Sequence, residues 1–308
     1  MRNEVDHDII GINWGSSNFR AFLIASDGRV RDAIEQPRGV AGLDRAQMQA
    51  MVGEVAARWP QAARIYASGM IGSNIGWSDA GYADCPTSLA QLASRLHEVH
   101  IGEVPVSIVP GLACRRLADD APDIMRGEET ELLGLIAAGA VPCDGLVALP
   151  GTHSKWVRLQ EGAVVEFMTA MSGEIFDRLT AAGLLASVVD GPAGQGAAFS
   201  AGLRAGHQGG LGLGTALFGA RARVIRGELA RRDGASYLRG LLIGAELADV
   251  LHLWPDAFDR PVPLVGAAPV CALYAAALHE LGGDARQIPS HDASTRGFSA
   301  LAAARRPA

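Results

Sequence analysis

Two stretches of the chain share one alternation of apolar and polar positions. Asp8 to Ala25 reads DIIGINWGSSNFRAFLIA, an apolar run, the turn Gly15-Ser16-Ser17-Asn18, and a second apolar run that ends near Asp27-Gly28. Apolar runs of this length bounded by glycine and polar turns predict strand, tight turn, strand and hairpin. Residues 145–169, GLVALPGTHSKWVRLQEGAVVEFMT, repeat the unit, with Gly151-Thr152-His153-Ser154 as the turn and Glu161-Gly162 as the hairpin. Either turn alone reads as an ordinary hairpin. Their recurrence predicts a duplicated architecture with equivalent turns facing one cleft.

Between the two units the pattern alternates helix and strand. Asp44 to Trp59 has helical spacing with Asp44 as N-cap, and Arg64 to Ser68 reads as the next strand. Leu89 to Val99 and Gly127 to Ala138 read as helices, and Val104 to Val109 as a strand. From Gly191 to Gly219 glycines crowd the chain without a GxGxxG after a strand, and no GxxxxGK[ST] occurs. Flexible loops are expected there. Further on, PVPLVGAAPVCALYAAALHELG predicts a strand, a glycine turn and a helix with Pro269 in its first turn, a helix start able to face a phosphate or nucleotide edge.

At 308 residues the chain exceeds the roughly 250 to 300 at which one core stops growing, so two lobes are expected, 1–140 and 141–308. The formal charge of -6 argues against a nucleic-acid partner. No apolar run reaches the roughly 18 to 20 residues of a membrane span, and Met1 to Asp8 is too polar for a signal peptide, so a cytoplasmic address is expected. Cys85, Cys114, Cys143 and Cys271 form no CxxC pair and read as reduced, mostly buried small hydrophobes. His7, His97, His100, His207, His252, His279 and His291 are scattered and carry no signal, and His153 has no second histidine at metal-ligand spacing.

Phosphoryl transfer needs a phosphate cradle, a divalent cation and a base for the attacking hydroxyl. Gly15-Ser16-Ser17 and Gly151-Thr152-His153-Ser154 offer hydroxyls and backbone N–H groups that glycine lets a phosphate approach. Glu128 and Glu129 open a helix, where the dipole stabilises carboxylates whatever their role, and Arg126 beside them favours the ionised form that a base requires. Ser68 to Trp77, SGMIGSNIGW, is a candidate sugar-facing loop or a glycine-rich turn with a core tryptophan. Lys155 is the only lysine of the chain. It reads either as a remnant of compositional drift or as a compact ammonium for an anion approached end-on.

In order along the chain, NWGSSNFRA, ASGMIGSNIGW, VPGL, MRGEET, LPGTHSKWV, MSGEIF and YLRGLLIGAEL resemble the 2-dehydro-3-deoxygalactonokinase family over about residues 8 to 300. The resemblance implies an α/β protein of the actin/hexokinase-like ATPase fold, with two ribonuclease-H-like lobes around an interlobe cleft. It implies ATP and Mg2+ as cofactors and phosphorylation of the terminal hydroxyl of 2-dehydro-3-deoxygalactonate in galactonate breakdown. Carried over, Gly15, Ser16 and Ser17 with Arg20 form the first phosphate motif, Gly151, Thr152, His153 and Lys155 the second, and Gly266, Ala267 and Pro269 the adenosine motif. The base falls on Glu128, with Glu129 the rival. Ser68, Gly69, Met70, Ser73, Trp77 and Arg126 become substrate contacts.

One position departs from the resemblance. The family pattern begins D-W-G, whereas this chain has Asn13, which places a neutral group at the metal position. A lost charge-assisted contact costs about 1–3 kcal/mol, and Asn13→Asp is then expected to raise metal affinity or rate. Alternatives are a kinase for a neighbouring sugar acid such as 2-dehydro-3-deoxygluconate, and a sugar-acid-binding relative without catalysis. The expected partners are the sugar acid and ATP, with a homodimer left open.

Overall fold

The computed structural model describes residues 7–305 apart from residues 211 and 291. His291 and residues 1–6 of the polar opening stretch lie outside the described residues. The chain separates into two compact units, one of Met1–Asp144, Leu159–Glu166 and Ser290–Ala308, the other of Gly145–Arg158 and Phe167–Pro289. The final segment, which a division at residue 140 would assign to the second half, packs in the first unit.

In the first unit the opening apolar runs form β1 (Ile9–Trp14), β2 (Phe19–Ile24) and β3 (Val30–Gln36). α1 (Arg45–Arg58) starts on a capping box between Asp44 and Gln47, a motif worth about 1 kcal/mol. There follow β4 (Arg64–Gly69), β5 (Tyr82–Asp84), α2 (Leu89–Ser94), β6 (His97–Ile101), β7 (Val104–Ile108), β8 (Gly111–Arg115), β9 (Pro122–Met125) and α3 (Glu128–Ala137). The helix expected over Leu89 to Val99 therefore stops at Ser94. His97–Ile101 pairs antiparallel with β7 instead, a tertiary contact that overrides the local pattern.

The six-stranded sheet runs β3-β2-β1-β4-β7-β6, with β1 antiparallel to β2 and parallel to β4. Strand alternation sorts β1 onto two faces. Ile10, Ile12 and Trp14 join a core with Met48, Met51, Val52 and Val55 of α1. Gly11 and Asn13 lie on the other face, where α9 (Ala293–Ala304) packs so closely that a Cβ on Gly11 would sit 2.2 Å from the Phe298 ring.

β10 (Gly145–Leu149), β11 (Ser154–Gln160) and β12 (Ala163–Ala170) repeat the opening unit and lie in the second unit except for Leu159–Glu166 at the hairpin end of β11 and β12. There follow α4 (Ser172–Ala181), α5 (Ala197–Gln208), α6 (Leu213–Ile225), α7 (Arg231–Leu253), β13 (Val262–Gly266), α8 (Ala268–Glu280) and β14 (Ala285–Pro289). The sheet order β12-β11-β10-β13-β14 matches β3-β2-β1-β4-β7 position by position, which is the expected ribonuclease-H-like lobe twice over. The loops expected over Gly191 to Gly219 are in large part α5 and the start of α6. Two glycines of α5 serve contact, not turning: a Cβ on Gly202 or Gly206 would lie 2.0 Å from a carbonyl oxygen of α7. Of the cysteines, Cys114 and Cys271 are buried and Cys85 is half-buried, whereas Cys143 is exposed. No helix among the described residues is long and apolar enough to cross a membrane.

α3 and α9 cross at backbone contact. A Cβ on Gly134 would be 2.2 Å from the Gly297 nitrogen, and one on Gly297 2.2 Å from the Thr130 carbonyl oxygen. Gly297→Ala is therefore expected to destabilise the fold by about 1–3 kcal/mol, read as a lower urea midpoint at unchanged slope.

Candidate active site

β1 ends at the turn Gly15–Asn18, closed by the Gly15 N–H donating to the Asn18 carbonyl at 2.9 Å. Val40 N–H donates to the Gly15 carbonyl at 3.0 Å, and Gly39 packs flat on the Ser16 backbone, so the turn is braced from behind while Ser16 and Ser17 stay exposed. Beside it, strand pairing aligns Arg20, Asn13 and Ser68 in one row across β2, β1 and β4. Arg20 is half-exposed and its Nε donates to Glu35 at 2.8 Å.

Asn13 faces α3 and α9. Its Nδ2 donates to Ser294 Oγ at 2.8 Å and to Glu131 Oε1 at 3.2 Å, and Ser294 Oγ donates to the same Oε1 at 2.7 Å. Burial pushes the Glu131 carboxyl up, opposed by these hydrogen bonds and by the Arg20 charge. The amide nitrogen of Asn13 is thus engaged with a neighbouring carboxylate, an arrangement that the D-W-G comparison alone does not suggest.

α3 begins two residues after Arg126. Gly127 has φ +108 and lies against Gly69, φ +89, so that a Cβ on Gly127 would be 3.4 Å from the Gly69 Cα. This close approach joins the end of β4 to the start of α3. Ser68 is fully buried and its Oγ has no hydrogen-bond partner. The Arg126 side chain is 6% exposed and stacks on the Tyr82 ring, 4.4 Å from its centroid. Its Nη2 donates to the Gly81 carbonyl at 3.0 Å, while Nε and Nη1 are buried without a partner. Unsatisfied buried donors cost about 1–3 kcal/mol each, so such a group calls for an acceptor.

The two candidate bases have different surroundings. Glu128 is half-buried and accepts from the Arg126 N–H at 3.2 Å. Glu129 is fully buried, accepts from Gly127 N–H at 2.6 Å and from the Thr130 hydroxyl at 3.0 Å, and burial together with the neighbouring Glu128 raises its carboxyl to about 8. Of the loop from Ser68 to Trp77, Ser73 donates to the Met70 carbonyl at 2.7 Å and is buried. Trp77 is spent on packing: its indole N–H donates to the His100 carbonyl at 3.1 Å and the Arg45 guanidinium covers its ring at 3.9 Å. The Ser73 hydroxyl hydrogen and the Trp77 indole N–H are thus both engaged within the protein.

In the second unit the turn between β10 and β11 exposes Thr152 and His153. Glu174 N–H of α4 donates to the Thr152 carbonyl at 2.9 Å, and Gly173 packs on the Gly151 carbonyl. His153 Nε2 lies 2.7 Å from Glu174 Oε2, a contact that lowers the Glu174 carboxyl. The end of β13 lies alongside, since a Cβ on Gly266 would be 3.1 Å from the Pro150 carbonyl oxygen, and Ala267 and Pro269 are exposed at the start of α8. The structure thus groups Gly151–His153 with Gly266–Pro269. Lys155 is not offered by the turn. It is 5% exposed within β11 and its Nζ donates to Thr169 Oγ1 at 2.8 Å.

Behind that turn lies a polar network that the sequence reading did not single out. Glu246 of α7 is buried and accepts from the Trp156 indole at 2.7 Å, the Tyr274 hydroxyl at 2.9 Å and the Ser172 hydroxyl. Tyr274 and Ser154 hydroxyls are 2.8 Å apart, and Gly151 N–H donates to Ser154 Oγ at 3.4 Å. Burial pushes the Glu246 carboxyl up while Ser172, Trp156 and Tyr274 pull it down. A visible signal existed: Glu246 is an acidic residue in the otherwise apolar GLLIGAEL run.

Two units of like strand order, each carrying a glycine-hydroxyl turn after its first strand, are the architecture of the actin/hexokinase-like ATPase fold, the class to which sugar kinases belong. The 2-keto-3-deoxy-galactonokinase family profile matches residues 13–301, and the chain belongs to that family. A Rhizobium meliloti protein provisionally named a 2-dehydro-3-deoxygalactonokinase is 35% identical over 95% of this chain and 96% of its own. The Escherichia coli 2-dehydro-3-deoxygalactonokinase is 32% identical over 95% of this chain and 97% of its own. A crystal structure of a Sinorhizobium meliloti protein, also provisionally named so, covers 97% of this chain and 100% of its own with a TM-score of 0.84 at 34% identity.

Glu129 gives stability a defined pH dependence. The folded state holds its proton up to about pH 8, whereas an unfolded chain releases it near the ordinary value of 4.5, so this residue's contribution to stability declines as pH rises through that window. Glu129→Gln cannot ionise. From about pH 5 to about pH 9 the wild-type melting temperature should therefore fall relative to that of the variant, and parallel curves would contradict the burial assigned to Glu129.

Proposed function

We propose that this chain transfers the γ-phosphoryl group of ATP to the terminal hydroxyl of 2-dehydro-3-deoxygalactonate in the cytoplasm, as part of galactonate breakdown. The observation that carries the reading is the unpartnered pair of donors on Arg126, Nε and Nη1, buried two residues before Glu128. A buried guanidinium with donors to spare calls for an anionic acceptor, and a 2-keto acid sugar brings a carboxylate. Ser68 Oγ supplies a further donor from β4.

Glu128 is the base. It is the more accessible of the two carboxylates, whereas Glu129 is sealed and keeps its proton to about pH 8, so it has no vacant site for the hydroxyl proton near neutrality. The sugar oxygen bonds to the γ-phosphorus, the bond from that phosphorus to the bridging oxygen breaks, ADP leaves with the electron pair, and the hydroxyl proton passes to Glu128. Within the first unit Gly15, Ser16, Ser17 and Arg20 have the character of a phosphate contact; within the second, Gly151, Thr152 and His153 have the same character and Gly266 to Pro269 that of an adenosine contact.

The residues present fit a magnesium ion of the kind that rests mainly on phosphate oxygens and water. Among the described residues no group of three or more His, Cys, Asp or Glu could hold a metal alone, but Glu131 next to Asn13 supplies one carboxylate, and Mg2+ commonly uses one or two. When bound, the ion neutralises phosphate charge.

ADP release with ATP, magnesium and 2-dehydro-3-deoxygalactonate, run beside the gluconate epimer and a no-sugar blank, tests the assignment. Release with the galactonate derivative alone is expected, and release with neither sugar from ATP-binding protein would mark a relative without catalysis. Glu128→Gln should lower kcat by about 10²–10⁴-fold with ATP binding retained, and Glu129→Gln should lower it far less. Arg126→Ala should raise KM for the sugar acid by at least about thirtyfold while leaving that for ATP within about twofold.

A further inference from the structure

Asn13 is neutral where a charge is expected, yet it is not an isolated loss. Both hydrogens of its Nδ2 are placed, one on Ser294 Oγ at 2.8 Å and one on Glu131 Oε1 at 3.2 Å, and the Ser294 hydroxyl hydrogen goes to the same Oε1 at 2.7 Å. The three side chains close a ring of donors around one carboxylate oxygen. That leaves Glu131 Oε2 and Asn13 Oδ1 outside the ring.

We propose that Asn13 and Glu131 act as one carboxamide–carboxylate pair, in which Glu131 carries the single negative charge beside the first phosphate turn and Asn13 and Ser294 fix its direction. Three observations support it. Asn13 lies two residues before Gly15 and opposite Arg20 in the strand register, so the pair stands at the root of the turn with a guanidinium across from it. Burial and the Glu128 charge work against the Glu131 charge, and what favours it is the Ser294 and Asn13 hydrogen bonds of the ring together with Arg20. Finally, the three elements that bear the ring cannot drift apart, because Gly11 is pressed on Phe298 and Gly134 on Gly297.

The pairing explains the neutral residue. An aspartate at position 13 would set a second carboxylate about 3 Å from the first, around one hydroxyl that has a single hydrogen to give, and like charges at that distance repel. The amide is therefore matched to Glu131, and the pair should tolerate exchange better than either single change. This reverses the expectation that Asn13→Asp improves the enzyme.

The role of the charge rests on the kinase reading, and the test separates the two. Asn13→Asp, Glu131→Gln and the double variant are compared by thermal unfolding of the nucleotide-free protein and by calorimetry of ADP binding with and without magnesium. Each single change should lower the unfolding midpoint, and the double variant should recover most of the loss. Glu131→Gln should weaken magnesium-dependent ADP binding at least about tenfold, with the double variant within about threefold of the unmodified protein. Additive losses in the double variant, tighter magnesium·ADP binding by Asn13→Asp, or unchanged magnesium dependence in Glu131→Gln would each overturn the proposal. Were the unmodified protein to bind ADP without any magnesium effect, the kinase reading of this site would fail, while the unfolding data would still decide whether the two side chains are a pair.

Discussion

The backbone contact between α3 and α9 is the constraint on which the first unit's chemistry depends. Helices normally meet 8–10 Å apart because side chains intervene, but the glycines at 134 and 297 remove those side chains and let the backbones touch. From that contact, Glu131 one turn before Gly134 and Ser294 one turn before Gly297 are delivered to the same face of β1. The polar ring with Asn13 is a consequence of two absent methyl groups.

The second unit uses a different material for the same task. Its turn between β10 and β11 is held by a buried acid, Glu246, acting through Tyr274 and Ser154, with Ser172 tying the start of α4 to the same carboxylate. Buried polar networks are favourable only when their members are satisfied, and here the donors converge on one acceptor group. Duplicated sheets have thus acquired unlike supports, a helix crossing in one unit and a hydroxyl chain in the other.

The recurrence of strand, turn and strand was legible as a duplicated lobe, but the element-by-element pattern was local. Strand alternation in IIGINW, the Asp44 cap and Pro269 in a first turn report on their own neighbours, and each appears in the structure where the pattern put it. Gly202 and Gly206 misled because a glycine that admits a facing helix and a glycine that turns the chain look identical in sequence. His97–Ile101 misled because only β7, across the sheet, makes it a strand. Glu131 and Ser294 were illegible for the same reason: nothing in ETELLGL or SHDASTRG distinguishes them until the fold sets them against residue 13. The lone lysine was noticed, but its partner Thr169 gives it a buried setting within the sheet and not an exposed one at the turn.

The partners Asn13 and Ser294 are 281 residues apart in the chain. During synthesis at about 5–20 residues per second, the first strands leave the ribosome many seconds before α9 exists, so for that interval the Asn13 face of the sheet has no cover. Everything belonging to the second unit is made in between. The first unit is consequently begun first and finished last, and closing so long a loop adds an entropic cost that grows only slowly with length. The order of translation makes α9 the step that covers the face of the sheet that β1 began.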